Sequence, residues 1–204
     1  ALGASFLVSA WDQNAALQIA TPGVSVVEQV ALRWLLELLG LPSHCAGAFV
    51  TGATVANFTA LAAARHRVLA NAGWDVEERG LAGAPPVTVI AGEEAHPTLL
   101  KSLTLLGFGR ATVVRVPVDS QGRMRAALLP PISGPTIVCT QAGNLNTGAF
   151  DPVGEICARV RGSGAWVHVD GAFGLWARAS RQLAPLAVGT ECADSWATDA
   201  HKWL

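Results

Sequence analysis

The chain has 204 residues, of which 51% are hydrophobic and 14% charged, with 21 glycines and no tyrosine. At about 150 residues per domain this is enough for one α/β domain or most of one, and so apolar a composition excludes a disordered chain. A formal net charge of −1 excludes the basic field through which nucleic acid or an anionic membrane is engaged.

The start, Ala1–Ala10, is apolar but lacks the basic opening of a secretory signal. The spacing of Val26, Val27, Val30, Ala31, Trp34, Leu35, Leu38 and Leu39 predicts a helix over Val24–Leu39 with one apolar face. Thr21 is its expected cap, Pro22 suits its first turn, and Gly40-Leu41-Pro42 ends it. Apolar runs at Ala48–Val50, Val87–Ala91, Thr112–Val116, Thr136–Thr140 and Trp166–Asp170 read as buried strands, with Ser195–Thr198 a weaker sixth. Between them Thr54–Ala70, Pro97–Leu106 and Val153–Val160 read as helices. Strand and helix in alternation predict a mainly parallel sheet covered by helices on both faces. Leu38–Ala64 and Ala126–Phe150 are uncharged and long enough to span a bilayer, but their glycines and prolines, with His44 and Asn57, mark them as strand-turn-helix segments. Cys45, Cys139, Cys157 and Cys192 show no C-x-x-C spacing and read as buried, reduced thiols of a cytoplasmic protein.

Ligands of such sheets bind beyond the carboxyl ends of the strands. There the sequence places Thr51-Gly52-Ala53-Thr54, Glu93–His96, Gln141–Thr147, Asp170-Gly171-Ala172 and Asp199–Lys202. The first of these opens a helix, so it is either an ordinary cap or an anion cradle of free N–H groups. Asp170, ending an apolar strand, is either a structural cap or the partner of a ligand cation, since a carboxylate there must be paired. His168 shares its strand face. Together they could be half of a metal site, but no further ligands stand at suitable spacing, and a histidine that orients Asp170 is the better reading. Lys202 is either a surface lysine or, between Trp196-Ala197 and Trp203-Leu204, an amine in apolar surroundings that lower its pKa and make it a nucleophile. His96 is either a solvated residue at a helix start or an imidazole that stacks on a flat ligand. Taken together, a nucleophilic lysine, a strand-end aspartate, a phosphate cradle and a stacking ring describe a pyridoxal-phosphate site.

The run Asp194–Leu204 is similar to the lysine signature of the group II pyridoxal-phosphate-dependent amino-acid decarboxylases, of fold type I in the aspartate aminotransferase superfamily. Trp166–Phe173 resembles their aspartate strand, Glu94-Ala95-His96 and Gly143–Pro152 their middle motifs, and Thr21-Pro22-Gly23 through Pro42 their opening helix. The resemblance covers nearly the whole chain, in order. It implies an α/β fold type I large domain over residues 1–204, incomplete. The N-terminal arm, the C-terminal small domain and the mobile loop that follows the lysine would lie outside an internal fragment. It also implies roles. Lys202 would form the Schiff base with pyridoxal 5′-phosphate, Asp170 would pair with the pyridinium, and Ala172 and His96 would cover the two ring faces. Ala53 and Thr54 would hold the phosphate, with Asp199 and His201 nearby, and Asn144 would lie close to the substrate carboxylate. The implied activity is removal of the α-carboxylate of an L-amino acid by a cytoplasmic homodimer. The alternatives are an aminotransferase or carbon–carbon lyase of the same fold, or an inactive fragment that only binds cofactor.

Overall fold

A computed structural model describes residues 2–203. The chain divides into two compact units, Ala1–Phe49 and Val50–Leu204, where the sequence reading takes residues 1–204 as one domain.

The first unit holds helices α1 (Leu2–Trp11) and α2 (Pro22–Leu38). Pro22 starts α2 as expected, but the Thr21 side chain does not cap it. Its hydroxyl donates instead to the carbonyls of Leu17 and Asn14 in the preceding turn. Gly40, at φ +58°, ends the helix in the left-handed region, where a side chain would be strained. The apolar stripe expected to be buried is largely not: Val26, Val27, Trp34 and Leu38 are exposed, while Leu36 and Leu39 are buried. A stripe is buried only if an element packs on it, and α1, the other helix of this unit, buries none of its own residues. Residues 48–50 form no strand. They lack the neighbouring ladder that an isolated apolar run needs to become one.

The second unit is an α/β sandwich. It opens with α3 (Ala53–Asn71) and the single turn α4 (Val76–Arg79), whose first N–H groups donate to the Asp75 carboxylate. Then follow β1 (Thr88–Gly92), α5 (Pro97–Leu105), β2 (Val114–Val116), β3 (Thr136–Gln141), α6 (Val153–Val160), β4 (Trp166–Asp170), β5 (Ser195–Ala197) and α7 (Ala200–Trp203). Among the described residues the five strands form one parallel sheet in the order β2-β1-β3-β4-β5. The central strands are buried along nearly their whole length, which explains their unbroken apolar runs. Edge strand β2 is shorter than predicted because Arg110–Thr112 turns as a 3₁₀ helix first.

Alternation along the strands splits the core in two. Val89, Ala91, Ile137 and Cys139 pack against Leu61, Ala64 and Val68 of α3 and Leu99 and Leu103 of α5. Ile90, Val138, Val167 and Val169 pack on the opposite face against Val153, Ile156, Cys157 and Val160 of α6. Each fully buried aliphatic side chain contributes roughly 1.5–3 kcal/mol. The chain runs from β1 out to β2, then crosses back past β1 to β3. That reversal is the switch point at which such sheets open a crevice at their carboxyl ends. No helix among the described residues is long and apolar enough to cross a membrane.

Candidate active site

The carboxyl ends of β1, β3, β4 and β5 and the first turn of α3 surround a cleft of about 320 Å³. Eight of the nine residues singled out from the sequence line it: Ala53, Thr54, His96, Asp170, Ala172, Asp199, His201 and Lys202.

Asp170 ends β4, 5% exposed. Its Oδ1 accepts one backbone bond, from the Ala172 N–H at 3.3 Å. Burial raises its pKa; the Ala172 N–H and the Asn57 amide are the main groups that oppose the shift. His168, two residues earlier, does not touch Asp170. Its ring is fully buried between Ser195 Oγ (2.9 Å, on Nδ1) and Asn57 Oδ1 (2.8 Å, on Nε2). Desolvation pushes its pKa down to about 3, so the imidazole is neutral.

His96 caps α5. Its Nδ1 accepts from the Thr98 N–H at 3.2 Å and meets Thr98 Oγ1 at 2.6 Å, which leaves the proton of the neutral ring on Nε2. Pro97 in the first turn makes this cap inexpensive, because the N–H that proline lacks would have no helical partner.

Gly52 turns the chain into α3 at φ +144°, a conformation open to glycine and strained for other residues. The N-terminus of α3 already meets an anion: the Ala53 N–H donates to Asp199 Oδ2 at 3.1 Å. Asp199 Oδ1 accepts from the His201 N–H at 3.1 Å and contacts His201 Nδ1. Burial raises this carboxyl, but the His201 and Ala53 bonds outweigh it and hold the pKa below the usual range.

Two sequence expectations need correction. Lys202 is exposed, not enclosed by its apolar flanks. It lies on α7, none of whose described residues is buried; the Trp203 ring lies 5.5 Å from that of Phe173 between centroids. Cys139 and Cys157 are buried, with thiols pushed up by burial to about 12 and about 11, but Cys45 is half-buried and Cys192 exposed. The ninth residue, Asn144, is outside the cleft lining. It is buried beneath the turn after β3, where Nδ2 donates to Glu94 Oε2 (2.9 Å) and Oδ1 accepts from the Asn146 and Thr147 N–H groups. Nearby, Asp151 accepts from the Met124 and Gln141 N–H groups and fixes the end of β3.

Thr98, Gln141 and Phe173 also line the cleft and were not singled out as site residues. Neither was Asn57, which sits under Asp170. The signal for Asn57 was present: it falls in register with Leu61, Ala64 and Val68, the buried stripe of α3, as the one amide on an aliphatic face.

The family model described as "Pyridoxal-dependent decarboxylase conserved domain" matches residues 1–204. The chain is 30% identical to the aromatic-L-amino-acid decarboxylase of Bacillus atrophaeus over 98% of its own length and 41% of that protein. It is 33% identical to the L-2,4-diaminobutyrate decarboxylase of Rhizobium meliloti over 100% of its own length and 40% of that protein. Among solved structures, Oryza sativa TDC with PLP and tryptamine superposes with a TM-score of 0.81 at 27% identity, covering 100% of this chain and 46% of that one. The chain thus spans about two fifths of the length of the curated relatives it matches.

Proposed function

The chain belongs to the pyridoxal-dependent decarboxylase family, and from that premise we propose that its protein is a carboxy-lyase that removes the α-carboxylate of an L-amino acid, with Lys202 carrying pyridoxal phosphate. In this reading residues 1–204 are part of a fold type I large domain.

The residues present fit the cofactor. Asp170 is a buried carboxylate with a single backbone donor on a cleft floor, the partner that a protonated ring nitrogen requires. A Cβ at Gly52 would have only Asp199 Oδ2 within contact range, at 3.9 Å, so a phosphate has room to approach the first turn of α3. That turn already draws in a carboxylate through the Ala53 N–H.

When bound, pyridoxal phosphate supplies an aldehyde that captures amines and a protonated ring that draws electrons from the breaking bond. Asp170 would hold that proton on the ring; a charge-assisted bond of this kind contributes about 1.5–3 kcal/mol. His96, its Nδ1 pinned by Thr98, presents a fixed ring face to the cleft that Ala172 also lines. Thr54 Oγ1 and the first-turn amides that Asp199 leaves free would hold phosphate. Asp199 ties the start of α3 to α7 and keeps His201 beside it. Lys202, which lines the same cleft as Asp170, would supply the amine.

The observation that carries this reading is Asp170: a carboxylate left buried and under-donated at the strand end that faces Lys202 and His96. Homodimer formation belongs to the same proposal, supported by the exposed apolar residues Phe6, Trp11, Val27 and Trp34. So does a cytoplasmic location, whose reducing conditions suit the buried thiols of Cys139 and Cys157.

Borohydride treatment of the cofactor-loaded, full-length protein followed by peptide mapping is expected to label Lys202; a label on Lys101 instead would overturn the assignment. Incubation with carboxyl-labelled L-amino acids is expected to release labelled carbon dioxide and leave the amine. Keto acid formed without release of label would replace the reading with an aminotransferase.

A further inference from the structure

From Trp166 and Ser195, both half-buried, a line of polar side chains runs to the buried His168 and Asn57, and its hydrogens can be placed one by one. Trp166 Nε1 can only donate, and it donates to Ser195 Oγ at 2.8 Å. The serine proton is therefore free to go to His168 Nδ1, 2.9 Å away. His168, neutral, then carries its proton on Nε2 and donates to Asn57 Oδ1 at 2.8 Å. With Oδ1 committed to His168, the Asn57 amide has one orientation. Nδ2 points away from the histidine, is fully buried, and has no acceptor at hydrogen-bond length among the described residues. The Asp170 carboxylate stands two residues beyond His168 on the same face of β4, and this amide is among the groups that oppose the rise of its pKa. A buried amide N–H left without an acceptor is destabilising. An amide on the aliphatic stripe of α3 is thus expensive unless it works on that carboxylate.

We infer that Asn57 is a positioning residue: its buried Nδ2, oriented by the Trp166–Ser195–His168 relay and given no other acceptor, serves the Asp170 carboxylate and keeps it aimed into the cleft. This rests on the reading of Asp170 as the partner of the cofactor ring nitrogen. The relay explains why His168 shares a strand face with Asp170 without touching it: the histidine acts one residue removed, through an amide on a different element. Its neutrality also matters. A protonated His168 would need an acceptor at Nδ1, where Ser195 Oγ would have to turn its proton away.

The test is the dissociation constant of pyridoxal phosphate, titrated by its absorption into the full-length apoprotein without substrate, together with the absorption spectrum of the bound form. Asp170→Asn is expected to weaken binding about tenfold or more. Asn57→Leu should weaken it by a similar factor, and the double variant should lie within about twofold of Asp170→Asn, because both remove one interaction. His168→Leu should resemble Asn57→Leu, with the same spectral shift. His168→Gln, which keeps an N–H for Asn57 Oδ1, should restore binding to within about threefold of the parent. Asn57→Asp is isosteric and guards against misfolding of the leucine variant. It keeps the acceptor for His168 but turns an oxygen toward Asp170, and should weaken binding at least as much. If Asp170→Asn weakens binding while Asn57→Leu or Asn57→Asp stays within twofold of the parent, or if the two effects multiply in the double variant, the relay is wrong and the reading of Asp170 survives. If Asp170→Asn itself leaves binding unchanged, the reading of Asp170 falls, and the relay with it.

Discussion

His168 shows how much of this fold's pH response can reside in one side chain. Its ring is fully buried and its pKa is lowered from 6.5 to about 3. The unfolded chain therefore binds a proton that the folded chain refuses. The stabilisation is complete above pH 6.5 and is lost as pH falls from there toward 3. Over that window the group accounts for on the order of 4–5 kcal/mol. Asp151, whose carboxyl burial raises to about 6, gains a proton on folding and acts with the opposite sign over part of this window in parent and variant alike. The prediction is therefore a difference: measured by denaturant unfolding, His168→Gln should gain stability relative to the parent as pH falls from 6.5 to 4, and parallel profiles would contradict this. Asp170 makes a different prediction. Its amide variant preserves shape and removes charge, so Asp170→Asn should fold with a melting temperature near the parent's while turnover falls by about a hundredfold or more. Turnover within a few-fold of the parent would remove Asp170 from the chemistry.

Among the elements, the segments that shape the cleft are held by close backbone approaches. Gly174 opens the 3₁₀ turn Gly174–Ala179, and a Cβ there would strike the carbonyl group of Ala142 at the end of β3. Both sides of that contact are main chain, so no rotamer change relieves it. Gly174→Ala is expected to cost about 2–3 kcal/mol, which for a chain of this size lowers the melting temperature by roughly 5–10 °C. A calorimetric shift of under 2 °C would show that the turn can move. Ser102 is a second such device. Its buried hydroxyl lies 2.9 Å from the Thr54 carbonyl and 3.0 Å from that of Thr98, joining α5 to the first turn of α3. Here Ser102→Ala should cost about 1 kcal/mol. The loss is small because the serine proton can serve only one carbonyl at a time.

For the whole molecule, the decisive quantity is apolar surface left in water. Large hydrophobic residues are exposed in both units, Phe6, Trp11 and Trp34 in the first and Leu105, Leu145 and Val188 in the second, on a chain with only 14% charged residues. Little charge repulsion opposes association. Residues 1–204 expressed alone should therefore self-associate and show no decarboxylase activity. Light scattering coupled to size-exclusion chromatography would reveal it, and a stable active monomer would contradict it. A Trp34→Glu substitution should reduce the association if the α2 stripe takes part.

The local pattern was sufficient for the central strands and their helices. Thr136–Gln141, Trp166–Asp170 and Val153–Val160 sit where apolar run and period placed them, because neighbouring side chains along one segment report its geometry directly. The positions at strand ends followed from the same reading, so most of the cleft lining was legible before the fold was known. Partners across the fold were not. Asn57 meets His168 across 111 residues of sequence, and Ala53 meets Asp199 across 146. Periodicity states which face of an element is apolar but not which element lies opposite. For the same reason it misjudged Val26, Val27, Trp34 and Leu38 of α2, which stand exposed, and the surroundings of Lys202. Burial and hydrogen-bond partnership are properties of pairs of elements, and only the tertiary structure decides which pairs meet.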